Sequence, residues 1–143
     1  MTVLVSACLL GVPCRYDGQS KRHPLAQELC RRHRVIPVCG EIFGGLPTPR
    51  DPAERQGDKV ISCAGKDVTK EYTKGAETAL YFAKLNHVDF AVMKAKSPSC
   101  GKGLIYDGTF TGNKIPGNGV TVELLNANGI PVFTEDELDQ LPL

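Results

Sequence analysis

"VDFAVMKAKSPSCG", Val88 to Gly101, decides how the rest of the chain is read. Its first half is an apolar run of the length of a buried strand, and its second half crowds two serines, a proline and a glycine around one cysteine. Such a loop, entered straight from a strand, puts Cys100 just past the strand's carboxyl end. Upstream, Tyr72, Ala76, Ala79, Leu80 and Ala83 recur at the 3.6-residue period with charges between them, which predicts a helix over 69–85. Helix followed by buried strand is the repeat of a parallel α/β sheet.

The same alternation extends in both directions. Val3 to Ala7 is a short apolar run feeding the punctuated loop "CLLGVPCRYDG". Pro24 can open a helix whose stripe is Leu25, Ala26, Leu29 and Cys30, so Cys30 is expected to pack. "RVIPVC" (Arg34 to Cys39) reads as a second strand. The loop "GEIFGGLPTPRDP" follows, where Gly44, Gly45, Pro47, Pro49 and Pro52 predict no regular element. Lys59 to Cys63 is a third strand, ending in a Cys63 read as structural, and Gly101 to Gly119 is a long glycine-rich stretch. "GVTVELLNANG" predicts a helix stopped by Asn-Gly, "IPVF" a last strand, and "EDELDQL" a solvated terminal helix. The expected fold is α/β, a mostly parallel sheet with helices on both faces in a Rossmann-like three-layer arrangement, formed by residues 1–143 as one domain. Ligands of such sheets collect beyond the carboxyl ends of the strands. Cys8, Cys39 and Cys100 each follow a strand, so three distant thiols can converge on one crevice.

Composition excludes some partners. Seventeen basic and sixteen acidic residues leave a formal charge of +1, which gives no global attraction for duplex nucleic acid or an anionic membrane. The longest apolar run, "TVLVSACLLGV", is interrupted by Ser6 and Gly11, too soon for a membrane span. "VSAC" (Val5 to Cys8) imitates a lipoprotein processing site, but only seven residues precede Cys8 and none is Lys or Arg. Six cysteines without a leader point to a reducing, cytoplasmic setting, with thiols serving as ligands, nucleophiles or core residues.

Three convergent thiolates suit zinc, copper(I) or an iron–sulfur cluster. No C-x-x-C pair occurs, so the spacing by itself is no zinc ribbon, and a buried cysteine can also be a small hydrophobe. "SPSCG" and "CGE" favour site residues, because glycine permits close backbone approach and hydroxyls can hydrogen-bond sulfur. Cys14, six positions after Cys8, is a fourth ligand or an unligated neighbour. Glu41 is a candidate general base, Ser97 and Ser99 can orient water or cap a turn, and Arg15 and Arg50 can grip a polar substrate. His23, His33 and His87 flank helices and read as surface or capping residues. Two other readings use the same residues: a zinc or redox-sensing regulatory site without turnover, and a thiol enzyme with Cys14 as nucleophile beside Arg15.

"SACLLGVPCRYDG" (Ser6 to Gly18), "PVCGEIFGGLPTPR" (Pro37 to Arg50), "GKDVT" (Gly65 to Thr69), "KSPSCG" (Lys96 to Gly101), "YDGTFTG" (Tyr106 to Gly112) and "GNGVTVELL" (Gly117 to Leu125) resemble, in order, the motifs of the bacterial thiouracil desulfidase family. The resemblance spans nearly the whole chain. It implies a [4Fe–4S] cluster held by three cysteines with one iron open to substrate sulfur, the ligands falling on Cys8, Cys39 and Cys100. It also implies Glu41 and Ser97 as catalytic residues, consistent with the chemical reading of Glu41 as base and Ser97 positioning a water. The substrate expected from it is a small thiolated pyrimidine, desulfurated by water to the oxo compound without net electron transfer. One departure is visible: Gly40 stands where the family usually has proline.

Overall fold

The computed structural model describes residues 1–140. Among these the order is β1 (Thr2–Ser6), α1 (Pro24–Arg32), β2 (Arg34–Val38), α2 (Gly40–Phe43), β3 (Ala53–Gln56), β4 (Lys59–Ser62), α3 (Thr69–Leu85), β5 (Phe90–Met93), β6 (Leu104–Tyr106), β7 (Lys114–Pro116), α4 (Val120–Ala127) and β8 (Val132–Thr134). The main sheet has the order β2-β1-β5-β8, with every pairing parallel. Val3 lies opposite Val35 and Phe90, and Val5 opposite Pro37 and Val92.

Because side chains alternate along a strand, β1 serves two cores. Val3 and Val5 pack with Ala26 and Leu29 of α1 on one face. Leu4 packs with Ala79 and Ala83 of α3 and Val122 and Leu125 of α4 on the other. This is the expected α/β architecture, with helices on both faces. No helix among the described residues is long and apolar enough to cross a membrane.

Several local expectations are corrected. "GEIFGG" is not irregular: it forms the one-turn α2, whose glycines let two helices touch backbone to backbone. A Cβ on Gly75 would overlap the Gly40 carbonyl, and one on Gly44 the Glu71 carbonyl. Lys59 to Ser62 is a strand but pairs antiparallel with β3, outside the main sheet, and the glycine-rich stretch contains the β6–β7 hairpin. Cys30 and Cys63 are exposed rather than packed. The buried stripe of α1 is centred between Ala26 and Leu29, which leaves Cys30 on its edge. The acidic tail forms 3-10 turns over Glu135–Gln140 and is tethered: Lys94 and the Ala95 N–H bind Glu135, and Lys102 binds Glu137. Its Leu141 lies outside the described residues. His33, expected at the surface, is half-buried with its ring edge on Phe90; burial lowers its pKa.

Gly75→Ala tests the backbone contact between α2 and α3. Alanine gains roughly 1 kcal/mol in a helix interior, yet here it must displace a carbonyl that no rotamer change can avoid. A net loss of about 1–3 kcal/mol is expected, the usual cost of overpacking. It would be read as a lower urea midpoint of the cluster-free protein, and an unchanged midpoint would show that the helices separate without cost.

Candidate active site

The three thiols reach one place because of the strand order. β1 is flanked by β2, which the chain reaches through α1, and by β5, which it reaches through α3; the winding reverses beside β1, and the crevice opens there. Cys8 lies in a 3-10 turn (Ala7–Leu10) directly after β1, closed by Gly11 in the left-handed region at φ +101°. Cys39 caps α2 from an extended conformation after β2. Cys100 ends the Ser97–Cys100 turn after β5. Cys8, Cys39 and Cys100, together with Cys14, line a single cavity of about 510 Å³.

The Cys100 turn is held mainly by backbone. Ser97 Oγ accepts the N–H groups of Ser99 and Cys100, each at 3.1 Å. The opening of α4 supplies more: Gly119, Val120 and Thr121 donate their N–H groups to the carbonyls of Gly101, Pro98 and Ser99 at 2.7, 2.9 and 2.9 Å. Donors that a helix N-terminus leaves unused are thereby spent on the cysteine turn. Gly119 is required, since a Cβ there would overlap Ser99. Across the sheet, Ser6 Oγ accepts the Lys94 N–H at 2.9 Å, tying the end of β1 to the end of β5.

The thiols form a soft donor set suited to iron or zinc rather than to a hard cation. Among the described residues, no three His, Cys, Asp or Glu side chains are gathered closely enough for one metal ion. The cysteines surround a volume instead, which fits a polynuclear guest. Each thiol with a raised pKa also retains its proton while no cation is near. Cys100 is pushed up to about 12 by burial and by the charge of Glu41. Cys39 is raised further, by its contact with Cys14, by burial and by Glu41. Contact with Cys39 lowers Cys14, but Cys8, burial and Glu41 outweigh it and bring Cys14 to about 11. A cationic guest that binds thiolates would release these protons.

Glu41, on the first turn of α2, faces the same cavity. Its Oε2 is ion-paired with Arg50 Nη2, and its Oε1 accepts the Ser97 hydroxyl at 3.4 Å. Both acceptor positions of Ser97 Oγ are taken by backbone N–H groups and its proton is directed at Glu41, which leaves it no position for a water. The Gly40 departure does not set Glu41 loose. The space of a Cβ on Gly40 is filled by Ser99 and Thr121, whose hydroxyls bond each other at 2.8 Å, and Arg50 and Ser97 hold the carboxylate.

Arg15 lines the cavity as expected, its guanidinium over the Tyr16 ring and 3.5 Å from Asp17. Two other expected substrate contacts are not brought there. Ser99 is fully buried against Thr121 and Gly40, and Arg50 points its guanidinium at the back of Glu41. Tyr16, Lys96 and Phe110, inside the motifs that carry the resemblance, and Lys21, Glu54 and Lys94, outside them, complete much of the wall, and the sequence alone assigns none of them to the site. Glu54 organises a loop: its Oε1 accepts the N–H groups of Gly108 and Phe110 at 3.0 and 3.2 Å. That pins the "YDGTFTG" loop to β3 and sets Phe110 at the cavity. "GKDVT" is likewise explained: Asp67 accepts the Thr69 N–H at 2.9 Å, while Thr69 Oγ1 accepts the Val60 N–H, joining β4 to the start of α3.

The profile of the 2-thiouracil desulfurase family matches residues 3–137. A solved structure of TudS (DUF523Vcz), a [4Fe–4S]-dependent thiouracil desulfidase, is 49% identical and superposes with a TM-score of 0.93, covering 98% of this chain and 94% of that one. The uncharacterized protein YbbK of Bacillus subtilis (strain 168) is 40% identical over 149 aligned positions, which span 97% of this chain and 99% of YbbK. With a family match over nearly its whole length, the chain belongs to the 2-thiouracil desulfurase family.

Proposed function

We propose that this protein is a [4Fe–4S]-dependent desulfidase acting as a single domain on a small thiolated pyrimidine such as thiouracil. The overall change is thiocarbonyl plus water to carbonyl plus hydrogen sulfide, with no net electron transfer. The observation that carries the reading is the convergence of Cys8, Cys39 and Cys100, from three separate strand ends, on one cavity that also contains the clamped carboxylate of Glu41.

In this reading Cys8, Cys39 and Cys100 are the cluster ligands and Cys14 is an unligated neighbour. When bound, the cluster supplies a soft Lewis-acidic iron that attracts the thiocarbonyl sulfur and draws charge from its carbon. Glu41 takes a proton from the water that attacks this carbon, using the lone pairs that Arg50 and Ser97 leave free. Ser97 fixes the direction of the carboxylate while holding the Cys100 turn through two N–H groups. Arg15 on its Tyr16 platform and the aromatic Phe110 bound the space for a planar ring and keep bulk water from its faces.

The test is anaerobic reconstitution, iron and acid-labile sulfide analysis, and addition of 2- or 4-thiouracil in the same cuvette. About four iron and four sulfide per chain are expected for a cubane cluster, together with loss of the thiouracil absorption band. A stable cluster without turnover would shift the assignment to a sensor. Absence of iron would return it to zinc or thiol chemistry.

A further inference from the structure

Arg50 is one of the most heavily engaged side chains in the molecule, yet it is itself absent from the wall of the thiol cavity that two of its partners, Glu41 and Cys14, line. Only 5% of its side chain is exposed. Nη2 pairs with Glu41 Oε2 and donates to the Cys14 carbonyl at 2.9 Å. Nη1 donates to the Pro47 carbonyl at 3.3 Å and to Thr48 Oγ1 at 3.2 Å. Arg50 instead lines a second cavity of about 500 Å³, with Leu46, Pro47 and Tyr72, which shares Ala53 and Tyr72 with the thiol cavity but not Glu41.

We infer that Arg50 is a positioning residue for desulfuration: it sets the orientation of the Glu41 carboxylate from behind and fixes it relative to the loop that carries Cys8 and Cys14. This rests on the reading of Glu41 as the base. A glutamate on a one-turn helix has three side-chain torsions to restrict, and a single hydrogen bond to Ser97 restrains only Oε1. The second oxygen is restrained by Arg50. Only a planar fork can serve Glu41 and Cys14 with one nitrogen and Pro47 and Thr48 with the other; a lysine ammonium has one nitrogen and cannot span that set. Misplacing a catalytic group by about 1 Å costs on the order of 100-fold in rate.

Wild type, Arg50→Ala, Arg50→Lys, Glu41→Gln and the double variant would be loaded anaerobically and compared for iron, sulfide, visible spectrum and thiouracil kinetics. Equal cluster content is expected, with kcat of Arg50→Ala down on the order of 100-fold and KM nearly unchanged. Arg50→Lys should recover little of the loss. The double variant should be no slower than Glu41→Gln, because residues that act as a unit are not additive. Added guanidinium, which can enter the second cavity, should restore turnover to Arg50→Ala and none to Glu41→Gln. A rise in KM at constant kcat would make Arg50 a substrate contact and overturn the inference, as would additive losses, failure of guanidinium rescue, or cluster loss in Arg50→Ala and Arg50→Lys. Full activity in Arg50→Ala beside an inactive Glu41→Gln would overturn this inference alone; full activity in Glu41→Gln would overturn the base assignment with it.

Discussion

Cys100→Ala is expected to remove both the bound iron and all thiouracil turnover while leaving the chain folded. The turn that carries Cys100 is fixed by Ser97 Oγ and by the first N–H groups of α4, none of which involves the thiol, so its geometry survives the substitution. Removing one small buried group costs on the order of 1 kcal/mol, comparable to a methylene, which a domain of this size withstands. The cluster is different: in the proposed assignment three cysteines would hold it, so loss of one would leave no spare ligand. The measurement is iron and sulfide per chain after anaerobic reconstitution, with thermal unfolding of the apo protein as the control for folding. Cys14→Ser in the same series should load normally, and Cys30→Ala, altered at an exposed position, should be indistinguishable from wild type. A fully loaded Cys100→Ala protein would mean that another thiol, with Cys14 the nearest choice, completes the set.

Glu41→Gln is expected to load its cluster and lose on the order of 100- to 10,000-fold in kcat, the range for a general base. Glutamine keeps the shape of the side chain and one carbonyl oxygen for Arg50 or Ser97, so the cavity wall is preserved. What is lost is the anionic lone pair that, in the proposed mechanism, receives the proton of the attacking water. Comparison at matched iron content separates this loss from any effect on cofactor binding. Retention of full activity would remove Glu41 from the chemistry and leave water activation to another group lining the cavity.

Legibility in the amino-acid sequence differs from residue to residue. The buried strands β1 and β5 and the helix α3 are legible because their signals are local: apolar runs and a 3.6-residue period lie in consecutive residues. The meeting of Cys8, Cys39 and Cys100 is legible at one remove, since alternating helices and strands imply a parallel sheet and such a sheet gathers the ends of its strands. The motifs identify the family, but they do not disclose why their residues are needed. "GEIFGG" has the composition of a loop; it is helical because α3 offers it Gly75, a contact between segments far apart in sequence. Glu54 has no marking in its own neighbourhood, and its function exists only where the loop at Gly108 and Phe110 comes back over β3.

Arg50 is the sharpest case. In sequence it is an arginine in a proline-rich loop, equally suited to substrate or solvent; in the fold it is buried behind Glu41 and bound to Cys14. By itself, then, the amino-acid sequence determined the layered α/β architecture, the family and the thiols and carboxylate proposed to carry the chemistry, because periodicity and residue chemistry are properties of short stretches. Only the tertiary structure decided which polar groups face the cavity and which stand behind its wall. Burial and hydrogen-bond partners arise when distant segments close on one another, and no local stretch contains them.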